Sequence, residues 1–249
     1  SEMPFAFALF FLRYWSCSFW RSVMESTQWF VDKIKETPVT VDEWRKQRNI
    51  LRSAKKYSKE LGFAMFFLNR TNRSGILDAG PIGGYTQLGE YKIDCRFNKD
   101  TLIQKIIRIS AYRNKVKIYN QDIFSFLKWY LPQAGKNRDM FVYFDPPYYE
   151  KGHRLYMNCF SSKDHERLRD AVSQLNCKWI MTYDDKAEIK ELYQHYQKLR
   201  FFINYSLSNK KKGGELMIFK DTSCIPSFAV IDKLSKAVVF DNLYLEGIE

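Results

Sequence analysis

A short apolar run that stops at two prolines constrains the fold of this chain more than any other segment. Residues 140–144 read Met-Phe-Val-Tyr-Phe, and Asp145-Pro146-Pro147-Tyr148 follows directly. A run of this length and composition is typical of a buried strand. Proline cannot continue a strand, because its φ is fixed and it has no backbone N–H to donate. The sequence therefore predicts a buried strand that ends in a stiff turn at Asp145.

The groups on this turn suit a planar base that carries an amino group. Open α/β sheets bind their ligands beyond the carboxyl ends of the strands. Here Asp145 offers a carboxylate, Pro146 a carbonyl oxygen, and Tyr148 an aromatic face. The alternative interpretation is an ordinary strand-ending turn, since Asp before Pro commonly opens turns.

The composition points to a polyanionic partner. The 249 residues suffice for one α/β domain, or for a domain with an insertion. Lys and Arg number 40 against 28 Asp and Glu, giving a formal charge of +12. This excess favours nucleic acid as the partner.

The cysteines and histidines indicate a reduced, cytoplasmic protein without a metal. The five cysteines form no CxxC pair, and the three histidines do not have the spacing of metal ligands. The apolar segment 4–20 contains Arg13 and is short for a membrane span, so we expect a buried strand or helix there.

Strands and helices alternate in the second half of the chain. The patterns predict helices at 124–130, 163–174 and 186–197, and strands at 116–119, 140–144, 179–183, 201–207 and 215–220. The basic, glycine-ended segment 208–214 is typical of a hairpin turn. Parallel βα units closed by an antiparallel hairpin predict a doubly wound sheet with one reversed strand.

The first half is predicted to be mainly helical and basic. Helical patterns cover 22–37, 41–60 and 102–109, and the glycine-rich segment 80–96 is predicted to be a loop or hairpin. The stretch from Arg45 to Arg73 contains nine basic residues and a single acidic residue, Glu60. A phosphate-facing surface and an ordinary solvated helix face are both open interpretations of this run.

Several short segments, taken together, resemble a known family. They are Leu68-Asn69-Arg70 with Gly75, Arg96-Phe97-Asn98, Asp122, Asp145-Pro146-Pro147-Tyr148, the strand 179–183 with Asp184, and Gly214-Glu215-Leu216. Over about residues 19–225 the chain resembles the class-alpha, Dam-like adenine-specific DNA methyltransferases. The resemblance implies a Rossmann-like methyltransferase domain at 1–37 and 101–249 with a C-terminal antiparallel hairpin. It also implies an inserted, mostly helical target-recognition region at 38–100.

The implied activity is methyl transfer from S-adenosylmethionine to the 6-amino group of adenine in double-stranded DNA. The adenine would be flipped out, because a stacked base cannot be reached. Tyr148 would then stack on the base, while the Asp145 carboxylate and the Pro146 carbonyl would accept the two amino hydrogens. Such catalysis relies on positioning and electrostatics and needs no His or Cys nucleophile.

The resemblance also implies binding residues. Asp122, Ile123 and Asp145 would bind the cofactor, although Asp122 could instead cap the following helix. The DNA-binding candidates are Asn69, Arg70, Arg73, Arg96, Lys210, Lys211 and Lys212. A structural role is an equally open interpretation of Asn69. An ordinary solvated loop is the alternative interpretation of the three lysines.

The start of the chain departs from the family pattern, which has a Pro-Phe-x-Gly-x-Gly turn. Pro4-Phe5-Ala6 matches its opening, yet no glycine precedes Gly62. Backbone approach to a ligand usually requires glycine. We therefore expect impaired cofactor binding, through truncation or a frame change in the coding sequence. A DNA-binding remnant without catalysis and an RNA amino-group methyltransferase are the alternatives, and a restriction endonuclease is a possible partner.

Overall fold

The computed structural model describes residues 7–10, 14–129, 140–149, 160–203 and 213–226. The chain divides into two compact units, Ser1–Ile123 and Phe124–Glu249. The protein is a mixed α/β structure. Within the described ranges, no helix is both long and apolar enough to cross a membrane.

The first unit consists mainly of helices. Its elements are β1 (Phe7–Phe10), α1 (Tyr14–Glu25), α2 (Thr27–Glu36), α3 (Val41–Ser53), α4 (Lys59–Thr71), α5 (Lys99–Ser110) and β2 (Val116–Tyr119). Strand β1 pairs with β2 in parallel, with Phe7 opposite Val116. Short hydroxyl side chains begin two of the helices: Thr40 accepts from the Glu43 N–H, and Ser58 from the Leu61 N–H.

Two helix predictions were wrong in extent. The helical pattern at 22–37 belongs to two helices, because α1 ends at Glu25 and α2 begins at Thr27. The pattern at 41–60 ends early at Ser53, and the cap at Ser58 starts a new helix, α4. The predicted loop or hairpin at 80–96 forms successive turns, and its Pro81 makes an isolated antiparallel bridge with Asn72.

One aromatic core joins the helices of the first unit. Helix α4 is apolar on several sides, because α1 and α3 both pack against it. The fully buried members of the core include Phe30, Ile34, Phe67 and Leu68, and Ile106 of α5 is also buried. Burying such a side chain stabilises the fold by about 1.5–3 kcal/mol. The predicted insertion 38–100 thus shares its core with α2 and α5, and its division from the catalytic part stays a prediction.

Gly62 allows α1 and α4 to approach each other closely. A Cβ atom at this position would lie 2.5 Å from the Ser18 carbonyl oxygen and 2.6 Å from the Ser22 Oγ. Both serines are buried, and their hydroxyls donate to carbonyls one turn earlier in α1. Small residues on both helices therefore set this crossing.

The second unit is built on a four-stranded sheet. Its elements are α6 (Ile123–Trp129, beginning at the unit boundary), β3 (Phe141–Phe144), α7 (Ser162–Ser173), β4 (Lys178–Asp184), α8 (Ala187–Leu192), β5 (Gln197–Ile203) and β6 (Gly213–Phe219). The strand order is β3-β4-β6-β5. Strands β3 and β4 are parallel, whereas β6 is antiparallel to both β4 and β5. Among these four strands, only β6 runs in the opposite direction.

Two boundaries in this unit differ from the predictions. Helix α8 ends at Leu192, and β5 already begins at Gln197. The helical pattern was extended too far because Tyr193, which is fully buried, follows it in a turn. Lys210, Lys211 and Lys212, which were predicted to contact DNA, lie outside the described residues.

The prediction that the strand before the prolines is buried was wrong for half of its residues. Phe141 and Tyr143 of β3 are 54% and 57% exposed, whereas Phe144 is buried. In the described sheet β3 is an edge strand, and successive side chains point to opposite faces. One face of β3 therefore packs in the unit, while the other presents two aromatic rings.

Candidate functional site

The turn after β3 lies beside the carboxyl end of β4. Because the two strands are parallel, with Phe144 opposite Met181, Thr182 is the next residue of β4 beside Asp145. The Thr182 hydroxyl donates to Asp145 Oδ1 at 3.1 Å, and Tyr143 Oη lies 2.8 Å from Thr182 Oγ1. A threonine hydroxyl has a single hydrogen, so Tyr143 donates to Thr182. This chain of hydrogen bonds fixes one oxygen of the Asp145 carboxylate.

The surroundings of Asp145 raise its pKa. Partial burial of the carboxyl group is the main cause, although the residue keeps an exposed surface. The Thr182 hydrogen bond acts in the opposite direction, and the nearby Glu215 raises the pKa further. A carboxylate with a raised pKa is a stronger hydrogen-bond acceptor and proton acceptor than a carboxylate with the ordinary pKa.

Two buried carboxylates hold the rest of the turn. The Tyr148 hydroxyl donates to Glu215 Oε1 at 2.6 Å, and the Tyr149 backbone N–H donates to Asp184 Oδ1 at 2.8 Å. Asp184 and Glu215 stand opposite each other in the β4–β6 ladder. The sequence placed both residues in family-like segments but did not identify these contacts.

A buried histidine, His165, packs against the turn that follows β3. His165 of α7 lies with Nδ1 2.8 Å from the Tyr183 hydroxyl, and its ring packs at 5.1 Å from the Tyr149 ring. Burial raises the pKa of Tyr183. The backing of the turn is therefore aromatic, and the Tyr183 hydroxyl within it stays protonated.

A second group of predicted residues surrounds a turn at the end of α4, which we call the recognition turn (residues 69–81). Asn69 Nδ2 donates to the Gly75 carbonyl at 3.1 Å, and Arg70 donates to Asn69 Oδ1 at 3.0 Å. Gly75 has φ of +71°, and a Cβ there would lie 3.2 Å from Asn69 Nδ2. Asn69 thus shapes the turn with one donor and one acceptor.

Asn72 anchors the same turn to the core, a role that the sequence did not reveal. It is fully buried and donates to the carbonyls of Ile76 and Leu77 at 2.8 and 2.9 Å. Its Oδ1 accepts from the Trp44 indole at 2.5 Å. The one available signal was a second asparagine three residues after Asn69.

Three arginines lie around the recognition turn. The Arg96 guanidinium lies 3.7 Å from the position of a Gly75 Cβ, and that of Arg73 lies 3.2 Å from a Gly80 Cβ. Partial burial lowers the pKa of Arg70, and the neighbouring Arg96 charge lowers it further. In the part of the chain that the structure describes, no carboxylate forms an ion pair with these three residues. Such a cluster suits phosphate groups.

The family assignment comes from a comparison with protein-family models. The model of the D12 class N6 adenine-specific DNA methyltransferases matches residues 14–206, more than half of the chain. The chain belongs to this family. The resemblance to Dam-like adenine-specific enzymes is thereby confirmed. A comparison with curated proteins found no match.

The match to this adenine-specific DNA methyltransferase family includes both groups of site residues. The recognition turn belongs to the first unit, and the catalytic candidates Asp145, Pro146 and Tyr148 belong to the second. Asp122 lies between β2 and α6, and Ile123 is the first residue of α6. Both interpretations of Asp122, as a cofactor ligand and as a helix cap, stay predictions. Among the described residues, no group of three or more His, Cys, Asp or Glu side chains could hold a metal ion.

Proposed function

We propose that this methyltransferase transfers a methyl group from S-adenosylmethionine to the 6-amino group of adenine in double-stranded DNA. The observation that carries the proposal is the turn after β3 in a member of an adenine-specific family. Its carboxylate, at Asp145, accepts a hydrogen bond from Thr182, and its aromatic ring, at Tyr148, is tied to Glu215. Hydrogen-bond acceptors and a stacking surface thus occupy one short segment.

The turn would activate the amino group by accepting its hydrogens. Asp145 would accept one hydrogen of the amino group, and the Pro146 carbonyl would accept the other. Both contacts withdraw the nitrogen lone pair from the ring and leave it directed at an electrophile. S-adenosylmethionine, when bound, supplies that electrophile as a sulfonium methyl group. The amino nitrogen then releases a proton, which Asp145 can accept because its pKa is raised.

Tyr148 would provide the stacking surface for a flipped adenine. Enzymes that act on a duplex base extrude it into a pocket and stack it on aromatic side chains. Tyr148 follows two prolines, so the backbone that carries the ring is stiff.

The residues predicted to bind the cofactor fit only part of it. Asp122 and Ile123 follow β2, and β1 lies parallel to that strand, so their position is at the edge where open sheets bind nucleotides. They would hold the adenosine portion of the cofactor through a carboxylate and a backbone N–H. Between β1 and α1 the residues are Phe11, Leu12 and Arg13, without a glycine. The fit is therefore limited to the adenosine end.

The recognition turn would bind the DNA backbone. Arg70, Arg73 and Arg96 supply positive charge around one turn, and the net charge of +12 favours a polyanion. Asn69 is engaged within the turn, which favours a structural role for it over base reading. Lys210, Lys211 and Lys212 stay candidate phosphate contacts.

Further features of the proposal follow from the family. The doubly wound sheet with a C-terminal hairpin agrees with the parallel pair β3–β4 and the reversed strand β6. A target-recognition role for residues 38–100, a cytoplasmic location and a restriction endonuclease partner belong to the same proposal.

A transfer assay with tritiated S-adenosylmethionine tests the function. We expect methylation of duplex DNA, with the label recovered as N6-methyladenine. Asp145→Ala should lower the rate by about 10²–10³-fold, because it removes an acceptor aimed at the reacting group. The matched control is Asp170→Ala, an exposed carboxylate of α7, which should keep the wild-type rate.

Two outcomes would contradict the proposal. Labelling of RNA in place of DNA would identify an RNA amino-group methyltransferase. Salt-sensitive DNA binding without cofactor binding in isothermal titration calorimetry would identify a non-catalytic remnant.

A further inference from the structure

Two buried carboxylates face each other directly across the sheet of the second unit. Asp184 of β4 and Glu215 of β6 are partners in the antiparallel ladder and are 5% and 4% exposed. Like charges directly opposite each other destabilise a sheet, and burying a carboxylate is costly unless it is hydrogen-bonded. The two carboxylates therefore need hydrogen-bond donors close to them.

Both carboxylates bind consecutive residues of the turn that carries the aromatic ring. Glu215 accepts from the Tyr148 hydroxyl at 2.6 Å, and Asp184 accepts from the Tyr149 backbone N–H at 2.8 Å. One contact therefore fixes the outer end of the Tyr148 ring, and the other fixes the backbone just after it.

The next residue, Asp185, connects the end of β4 to both β5 and β6. It forms ion pairs with Lys190 at 2.8 Å and with Arg200 at 2.5 Å. Its backbone N–H donates to the Gly214 carbonyl, and a Cβ at Gly214 would lie 3.2 Å from the Asp185 side chain. Strands β4 and β6 thus meet at a fixed point one residue away from the Asp184–Glu215 pair.

We propose that Glu215 and Asp184 are positioning residues that hold the Tyr148 ring in its base-stacking orientation before DNA binds. The proposal rests on the proposed adenine transfer for its functional consequence. A tyrosine side chain has several staggered rotamers available when no contact selects one, and ordering it on binding costs free energy. With the hydroxyl bound to Glu215, a flipped base meets a surface that is already oriented.

Fluorine NMR of the free protein labelled with 3-fluorotyrosine tests the arrangement without substrate or cofactor. The signal of Tyr148 is identified by its loss in Tyr148→Phe. Glu215→Ala should shift or broaden this signal, because the hydroxyl loses its acceptor. Glu215→Gln keeps an acceptor oxygen and should restore a single sharp signal. Glu166→Ala removes an exposed glutamate of α7 and should leave the signal unchanged.

The transfer assay then measures the functional consequence. If the wild-type protein methylates DNA, Glu215→Ala should lower the rate at saturating DNA by about 10–100-fold, with the KM for DNA nearly unchanged. Glu215→Gln should recover most of that loss. A purely structural role would instead lower the amount of folded protein and leave the rate per folded molecule unchanged.

The outcomes separate this inference from the proposed function. A Tyr148 signal that is unchanged in Glu215→Ala overturns the positioning role, whatever the enzyme does. If Glu215→Ala does not fold, Glu215→Asp shortens the side chain by one methylene at constant charge, and an unchanged signal there has the same meaning. A wild-type protein that transfers no methyl group refutes the proposed function, while the NMR result still decides the role of Glu215.

Discussion

At the scale of single residues, the Thr182 hydroxyl is one of the groups that set the pKa of Asp145. Burial and Glu215 raise the pKa of Asp145, and the hydrogen bond from Thr182 lowers it. The ionised carboxylate is the form that can accept the amino hydrogens of a base. Activity should therefore be present above the pKa of Asp145 in the folded protein and fall as the pH drops through it.

Thr182→Val removes the hydrogen bond at nearly constant side-chain volume. We expect the pKa of Asp145 to rise further and the acidic limb of kcat/KM against pH to move to higher pH. Thr182→Ser keeps the hydroxyl and should leave the limb near its wild-type position. An acidic limb that moves to lower pH in Thr182→Val would show that this hydrogen bond does not stabilise the ionised form.

The sequence identified Asp145, Pro146 and Tyr148 as site candidates because the information there is local, and their catalytic role stays a prediction. Two prolines after an apolar run end a strand wherever they occur. The partners of these residues were not predictable in the same way. Thr182 lies 37 residues from Asp145, and Glu215 lies 67 residues from Tyr148. Only the pairing of β3, β4 and β6 brings these side chains together.

At the scale of single elements, the recognition turn depends on Gly75, because the backbone there has a left-handed conformation that favours glycine. Gly75 has φ of +71°, and a Cβ would lie 3.2 Å from both Asn69 Nδ2 and the Asn69 carbonyl oxygen. We expect Gly75→Ala to lower the free energy of unfolding by about 1–3 kcal/mol. Two causes add up: the left-handed backbone conformation, and the close contact of the new Cβ with Asn69. Urea unfolding measures this difference.

Gly84→Ala is the matched control for that substitution. Gly84 has φ of +75°, but no atom lies within 4 Å of its Cβ position. It should therefore show the cost of the backbone conformation alone, about 1–2 kcal/mol. If Gly75→Ala is no more destabilising than Gly84→Ala, the close approach of Asn69 to position 75 adds no cost to a side chain there.

The sequence indicated most elements but not where several of them end. Strands β2, β3, β4 and β6 were found because their apolar runs are short and bounded by polar residues. The ends of α3 and α8 were missed because their patterns continue beyond the helices. Ser58 caps a new helix after α3, and the buried Tyr193 belongs to a turn after α8. Helical periodicity alone does not distinguish such a turn from one more helical residue.

At the scale of the whole molecule, the positive charge should govern DNA affinity. A protein that neutralises phosphates releases counterions, so affinity falls with salt in proportion to the number of contacts. The double substitution Arg70→Gln with Arg96→Gln should reduce the slope of log K against log salt concentration by about 2. Fluorescence anisotropy of a labelled duplex at several salt concentrations measures this slope.

Arg21→Gln provides the comparison for that experiment. Arg21 is in the same unit but is already paired with Glu25 at 2.9 Å, so its loss should leave the slope unchanged. If the double variant keeps the wild-type slope but binds different sequences equally well, these arginines read bases and do not contact phosphates.

The strand order also has a consequence for the order of folding during synthesis. The first unit is continuous in sequence, and its buried aromatic core is complete once Ile106 has been made. In the second unit, β6 is the last of the four strands to be made, yet it lies between β4 and β5. While the ribosome is still adding residues before Phe219, β4 and β5 lack their shared neighbour and expose unpaired edges that can aggregate. This sheet is therefore completed only after β6 has been made.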